Sequence, residues 1–280
     1  MLNLTHIIHK KGEELEELEL FAGVCRNALN QATRSVETID LRRRIAEVLN
    51  EKPDYESESQ LDAAKEHAAK ISEFAESQRK DGLPYLYSLC AVRLWALTEA
   101  MVDELVVHSL LTPSEFFDHS ILAKLKGPLI EFRAASPDEQ AEFLAETLKQ
   151  LVDAPLKLGA GKFEALLAPV GLGGEIQEDV RKTLYELSQI RNIIVHKSGK
   201  ADRRILEACP WLDFKKGETI NVTFEMFERY RVAIYWYIVA VRGRIDARDG
   251  IKNPVDLTQI LKMIEEKLQT SPNKQKTQNN

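Results

Sequence analysis

The sequence predicts an all-α protein, and three observations support this prediction. Apolar residues recur at steps of three and four along most of the chain, which is the spacing of one helix face. Proline or glycine with polar neighbours separates these stretches, as at residues 51–54 and 81–84. Only residues 219–223 have the pattern of a short extended segment. We therefore expect a helical bundle.

The N-terminal half contains the larger share of the predicted helices. Mixed-charge faces predict helices at 13–34, 39–50 and 60–80. Residues 85–111 are apolar around most of the circumference, as expected of a helix at the centre of a domain. Polar caps followed by proline, at 112–115 and 136–139, predict two further helix starts, and the second helix should end near residue 154.

Toward the C-terminus the helical pattern continues. Residues 158–174 are rich in glycine and predict a loop with a short helical turn. Helices are predicted at 178 to about 197, at 224–245 and at 254–269, and a disordered tail at 271–280. The change in composition after residue 80 suggests an N-terminal helical extension (1–80), a helical domain (81–249), and a terminal helix with its tail (250–280).

Composition limits the possible functions. The net charge of −6 over 280 residues gives no general attraction to nucleic acid or to an anionic membrane, so such binding needs a local basic patch. Three widely spaced cysteines predict neither a disulfide framework nor a zinc site. Without a signal peptide or a membrane-spanning run, the chain is expected to be cytoplasmic and to have no membrane partner.

One predicted helix carries a charge on its buried side. At about 100° per residue, apolar residues of 178–197 fall in one sector, with Ile190 at its edge: Val180, Leu184, Leu187, Ile194 and Val195. Arg191 projects into the middle of this sector, whereas Asn192 and His196 project to the other side with Tyr185. A guanidinium stays charged in proteins and is costly to bury alone, so Arg191 needs an acidic partner or a wet cleft.

Glu99 is the candidate partner of Arg191. It is the only acidic residue within 83–102, on the most apolar helix of the chain, and a buried carboxylate needs a cation as much as a buried arginine needs an acid. Structural explanations stay open at this point. Arginine stems often lie along apolar surface or cap the last carbonyls, and the helix dipole favours a histidine at a helix C-terminus.

The residues around Arg191 and His196 add a second kind of signal. Residues 187–199, LSQIRNIIVHKSG, resemble the signature helix of the HEPN superfamily (higher eukaryotes and prokaryotes nucleotide-binding), in which arginine precedes histidine by Arg-x4–6-His spacing. A polar residue often follows that arginine, as Asn192 does here. Residues 85–107, with Glu99 near the middle, resemble the family's earlier helix with an acidic residue. The resemblance covers about 82–245, and the first 80 residues lie outside it.

This resemblance implies a helical bundle of HEPN type that forms a symmetric homodimer with a shared cleft. Many members are metal-independent ribonucleases of toxin–antitoxin systems and antiviral defence. The implied substrate is RNA, no cofactor is implied, and an antitoxin or other protein is a further partner. His196 would be the general acid and base, and Arg191 would contact the scissile phosphate. Asn192 would support the cleft, and Glu99 would hold Arg191. The alternative is a non-catalytic HEPN scaffold that binds a partner protein or a nucleotide.

The helix geometry and the resemblance do not agree fully. On an ideal helix Arg191 and His196 point about 140° apart. Either the helix loosens near His196, or the arginine points into a dimer cleft, and the apolar sector is then partly an interface.

Two basic groups complete the candidates. Lys197, Lys200, Arg203 and Arg204 follow the motif and are candidate contacts for RNA phosphates, with solvated surface charge as the alternative. The same two interpretations apply to the run 42–44.

Overall fold

The described residues of the computed structural model are 3–52, 54–55, 57–111, 115–152, 159–251 and 257–270. Over these residues the all-α prediction is confirmed, because they form twelve α-helices and two 3₁₀ turns and no β-strand. The predicted extended segment at 219–223 is reduced to a single antiparallel bridge between Lys200 and Thr219.

Three helices form the N-terminal part of the chain. They are α1 (Leu4–Ala32), α2 (Ser35–Leu49) and α3 (Glu58–Lys80). Helix α1 begins earlier than predicted because Leu4, Ile7 and Ile8 have helical spacing and are buried. The Asn3 side chain caps this start by accepting a hydrogen bond from the amide of His6 at 2.9 Å.

Seven helical segments lie between the break at residues 81–83 and the end of the motif. They are α4 (Pro84–Leu110), α5 (His119–Leu122), α6 (Leu129–Ala134), α7 (Pro137–Val152), α8 (Ala160–Leu167), a 3₁₀ turn (Ala168–Val170) and α9 (Glu178–His196). Helix α7 starts as predicted, with Ser136 and Glu139 hydrogen-bonded to each other's backbone amides. The helix start predicted at 112–115 has its first three residues outside the described part of the chain.

The glycine-rich region is more helical than predicted. Instead of a loop with one short turn, residues 160–170 form α8 and a 3₁₀ turn. Phe163, Leu166 and Leu167 are buried at helical spacing, and the Phe163 ring lies 4.9 Å from the ring of Trp95 on α4. Burial against α4 therefore outweighs the helix-breaking tendency of the nearby glycines.

Four helical segments follow the motif in the described part of the chain. They are α10 (Arg203–Ala208), a 3₁₀ turn (Pro210–Leu212), α11 (Phe224–Arg248) and α12 (Leu257–Thr270). On α11 the aromatic side chains Tyr230, Trp236 and Tyr237 are buried, so they belong to the core as the apolar pattern indicated. The start predicted for α12 at 254–256 and the tail predicted at 271–280 lie outside the described residues.

Helices α4, α9 and α11 pack on one another and form the centre of one hydrophobic cluster. Helix α1 crosses α4 and α11, α7 and α8 cover another side of α4, and α12 packs on α11 and α9. Helices α2 and α3 pack on each other, and α3 also contacts α1. The predicted boundary at residue 80 stays a prediction, although α1 shares its core with the helices that follow this boundary.

The directions of the central helices follow from their side-chain contacts. Tyr87 stacks on Phe227, and farther along both helices Trp95 and Tyr237 contact the Phe163 ring, so α4 and α11 run the same way. Helix α9 runs the opposite way, because Glu186 contacts Tyr230 while residues beyond the end of α9 pair with residues that precede α11.

A buried lysine ties α1 to α4. The Lys11 ammonium donates hydrogen bonds to Glu104 on α4 at 2.7 Å and to Glu14 at 3.0 Å. Burial lowers the pKa of Lys11, but these hydrogen bonds outweigh the burial and leave the pKa above its ordinary value. The ammonium is therefore charged in the folded protein, which makes its pairing with both carboxylates possible.

None of the described helices combines the length and the apolar character needed to cross a bilayer.

Cysteine reactivity tests this core. Burial raises the pKa of the Cys90 thiol to about 11 and that of the Cys209 thiol to about 12. At pH 8 only about one Cys90 thiol in a thousand is then ionised, and the thiolate is the reactive form. A disulfide reagent should label the half-buried Cys25 in the native protein and all three cysteines in denaturant. Fast labelling of Cys90 or Cys209 in the native protein would contradict their burial.

Candidate functional site

The candidate site is built on α9, whose two ends are fixed by local hydrogen bonds. The Gln177 side chain accepts a hydrogen bond from the Val180 amide at 3.0 Å and caps the start of the helix. At the other end Ser198 and Gly199 have positive φ angles of 52° and 72°. The Gly199 amide then donates to the Ile193 carbonyl at 3.1 Å. The helix therefore ends at His196, as the sequence predicted.

The buried face of α9 differs in position from the predicted sector. Val180, Leu184 and Leu187 are fully buried as predicted, but the side chain of Val195 is 47% exposed. Burial extends instead to residues on the opposite flank: Thr183, Glu186, Ile190 and Ile193. The reason is that α9 is covered by both α4 and α11, so the centre of the buried face turns toward α11. Arg191 accordingly lies at the edge of the buried face and not in its middle, and this part of the prediction is wrong.

Arg191 and Glu99 are partners, as the sequence predicted. The nearest atoms, Nη2 of Arg191 and Oε2 of Glu99, are 3.7 Å apart, and the side chains are 26% and 37% exposed. At this distance the two groups form an ion pair but not a hydrogen bond. Because the pair is partly solvated, its net contribution to stability is small.

The donors of Arg191 are only partly used. Its Nη1 donates a long hydrogen bond of 3.3 Å to Oδ1 of Asn192. Its Nε is enclosed by protein and has no hydrogen-bond partner among the described residues. A guanidinium has five donor hydrogens in a fixed arrangement, so Arg191 retains the capacity to bind an anion beside Glu99.

Asn192 and His196 are exposed, as the sequence predicted. The helix is regular through His196, so it does not loosen to bring the histidine onto the arginine's face. Arg191 and His196 therefore project about 140° apart around the axis of α9. Of the four candidate catalytic residues, the structure brings together Arg191, Glu99 and Asn192, and it leaves His196 outside this group.

The four candidate RNA-binding residues are all exposed on the segment that follows α9: Lys197, Lys200, Arg203 and Arg204. Arg203 is paired with Glu207 at 2.6 Å. The bridge at Lys200 brings a second strand of backbone beside this segment, with the Gly217 amide donating to the Ala201 carbonyl at 2.8 Å. Exposed lysines at 215 and 216 precede Gly217, and sequence reasoning missed them because they are far from the motif along the chain.

Sequence reasoning also missed Glu186, which is fully buried on α9. Its carboxylate accepts hydrogen bonds from the Tyr230 hydroxyl at 2.6 Å, from the Trp211 indole at 2.7 Å and from the Arg229 guanidinium. Burial, and then the charge of Glu186, raise the pKa of Tyr230 well above its ordinary value, so the phenol stays protonated and donates. The sequence does contain a signal for this group. Glu186 stands at helical spacing from Thr183 and Ile190, and the apolar helix α11 carries Arg229 and Tyr230 as possible partners.

A second, partly buried carboxylate holds the glycine-rich loop. Glu164 accepts hydrogen bonds from Arg244 and from the Tyr237 hydroxyl, each at 2.8 Å, and from the Gly174 amide at 2.7 Å. The Gly174 amide is thus bound to a carboxylate of the protein. Among the described residues, no group of three or more His, Cys, Asp or Glu side chains is arranged to hold a metal ion.

We found no significant match to this chain among protein-family models, curated proteins or solved structures. The HEPN resemblance consequently depends on the sequence of about residues 82–245 alone and stays a prediction.

Removing the Glu186 carboxylate should destabilise the protein strongly. Glu186→Ala leaves the Arg229 side chain, only 12% exposed, without its anionic partner. We expect a loss of about 3–5 kcal/mol in the free energy of unfolding, measured by urea denaturation. Tyr230→Phe removes one hydrogen bond from the same group and should cost about 1–2 kcal/mol. Equal, small effects of both substitutions would contradict the central role of Glu186.

The Arg191–Glu99 pair should contribute little to stability. In a double-mutant cycle of Arg191→Ala and Glu99→Ala, we expect a coupling energy below about 1 kcal/mol, because both side chains are partly solvated. The cycle is measured by urea denaturation of the four proteins. If Arg191→Ala alone unfolds the chain, the pair has a structural role and Arg191 does not serve a binding or catalytic site.

Proposed function

We propose that the protein is a metal-independent endoribonuclease of HEPN type that acts in a bacterial defence or toxin–antitoxin response, with a composite active site at the interface of a symmetric dimer. One observation carries this proposal. Arg191 is held beside Glu99 with unused donors, while Asn192 and His196 of the same helix face solvent.

Arg191 has the chemistry to stabilise charge on phosphate. During RNA cleavage the phosphorus passes through a five-coordinate state with added negative charge, and preorganised donors lower the energy of that state. Glu99 keeps the guanidinium in place at the edge of α9, and Asn192 restrains it through Nη1. A phosphate oxygen would bind the remaining hydrogens of Nη1 and Nη2, because Nε is enclosed by protein.

His196 has the chemistry of the acid and the base. Imidazole gains and loses a proton near neutral pH, so it can take the proton of a ribose 2′-hydroxyl. The 2′-oxygen then bonds to phosphorus, the bond from phosphorus to the 5′-oxygen breaks, and the leaving oxygen takes up a proton. One chain offers one such histidine at this site, whereas the reaction uses both an acid and a base. A dimer supplies the second histidine.

The surface around the motif favours such pairing. Val195, one turn beyond Arg191, is about half exposed, and so are Leu89 and Tyr85 on the N-terminal half of α4. Val195 shares its helix with Arg191, and Tyr85 and Leu89 share theirs with Glu99. Partly exposed apolar residues next to a polar site are typical of a protein interface. On this proposal, the partner's α9 brings its histidine to the Arg191 side.

The second candidate is a non-catalytic HEPN scaffold that binds a partner protein or a nucleotide. The ion pair with Glu99 favours it, because this carboxylate already neutralises part of the arginine's charge. The net charge of −6 also opposes RNA binding outside the patch that follows α9.

Cleavage of RNA by matched histidine variants tests the proposal. We expect His196→Ala to lower the rate by at least about 100-fold, as loss of a general acid–base group does. The control His119→Ala removes another exposed histidine, on α5, and should keep the full rate. Activity should persist in EDTA. The readouts are cleavage of total RNA by the purified protein and growth of cells that express each variant.

Two results would overturn the enzyme assignment. One is intact RNA with wild-type protein, with and without a candidate partner, together with no growth difference between wild type and His196→Ala. The other is complete loss of cleavage in EDTA. Intact RNA together with a partner whose binding requires Arg191 would support the scaffold.

A further inference from the structure

The N-terminal helices expose two apolar faces that no described residue covers. On α1, Leu20, Phe21 and Val24 are each more than half exposed, whereas Ala22 on the opposite side is buried in the core. The exposed three lie within one turn and a half of helix. A face of this kind, on a helix that already packs on α4 and α11, is unpartnered.

The second face lies on α2. Leu41, Ile45 and Val48 follow the spacing of one helix face, and each is about half exposed or more. Helix α3 packs on the other side of α2, where Asp40 pairs with Lys65 at 2.7 Å and Arg43 pairs with Glu58 at 3.4 Å. The apolar face of α2 therefore points away from the rest of the chain.

The two faces carry opposite charges at their edges. Glu16 and Glu17 are exposed one turn before Leu20 on α1. Arg42 and Arg44 are exposed on either side of the α2 face. No ion pair joins any of these four side chains to another described residue. Glu37 is exposed one turn before Leu41 and offsets part of this charge, but the two arginines leave the α2 face with an excess of positive charge.

We propose that the chain self-associates through these faces, with the α1 face of one copy on the α2 face of a second copy and the reverse contact formed at the same time. The charges decide between pairings. A face placed on its own counterpart would bring like charges together, which opposes association. A contact of the α1 face with the α2 face joins acidic to basic edges around an apolar centre. Two such contacts related by a two-fold axis give a closed dimer.

This inference does not rest on the proposed function. The faces lie on α1 and α2, and the Arg191 site lies on α4 and α9. The charge variants of α1 and α2 leave every residue of the Arg191 site unchanged, so they test this contact separately from the proposed function.

Charge reversal with complementary mixing tests the contact. The first variant is Arg42→Glu with Arg44→Glu, and the second is Glu16→Lys with Glu17→Lys. In each variant alone, both contacts of the dimer would bring like charges together. We expect sedimentation equilibrium of the full chain to show self-association weakened at least about tenfold in each variant. In an equimolar mixture of the two variants, both contacts are complementary again, and association should return to near the wild-type level.

A matched control tests whether the loss of association depends on the charges of these two faces. Glu131→Lys with Glu142→Lys reverses two exposed acids on α6 and α7, which pack on each other and, through α7, on α4 and α8, and this variant should associate like the wild type. Recovery in the mixture also shows that the two variants fold, because unfolded chains would not associate specifically. Circular dichroism of each variant checks its helix content independently.

Three results would overturn the proposal. The first is a wild-type chain that stays monomeric at high micromolar concentration. The second is a wild-type dimer that both charge variants leave unchanged, which would place the contact on another surface. The third is a mixture that does not recover, which would show that the two faces do not meet.

Discussion

A carboxylate that is completely buried needs hydrogen-bond donors around it, and Glu186 is such a carboxylate at the centre of the molecule. Its three donors come from the 3₁₀ turn before residue 213 and from α11. Because hydrogen bonds are directional, this arrangement fixes the rotation of α9 about its own axis as well as its distance from α11. The position of every other side chain on α9 follows from that rotation.

With Glu186 turned toward α11, Arg191 comes to the boundary between α4 and solvent, where Glu99 meets it. The same rotation exposes Asn192, Val195 and His196. Two side chains five positions apart on a regular helix point about 140° apart, so Arg191 and His196 of one chain do not face a bound phosphate from the same side. A catalytic use of both residues therefore needs a second copy of α9, and the geometry of a single chain is incomplete for the reaction that we propose.

The sequence predicted what depends on local spacing. The all-α class, the central helix α4 and the end of α9 at His196 follow from periodicity, capping residues and glycine. The Arg191–Glu99 contact followed from charge matching between two apolar helices. The burial of α8, the exposure of Val195 and the role of Glu186 could not be predicted in this way, because each depends on which helices cover a segment from two sides. A single periodic pattern reports only one buried side.

The two proposed contacts place a geometric condition on any assembly. The dimer through α9 and the dimer through α1 and α2 use separate surfaces, so one chain could form both. Two different two-fold contacts close into a tetramer when their axes cross at right angles and into larger rings at certain smaller angles, whereas axes that do not cross generate an open chain of molecules. In such an open assembly, each new molecule adds a further contact, but the two α9 helices of each α9 dimer stay together. Loss of the contact through α1 and α2 would therefore change the size of the assembly without a loss of RNA cleavage, because each α9 pair stays intact.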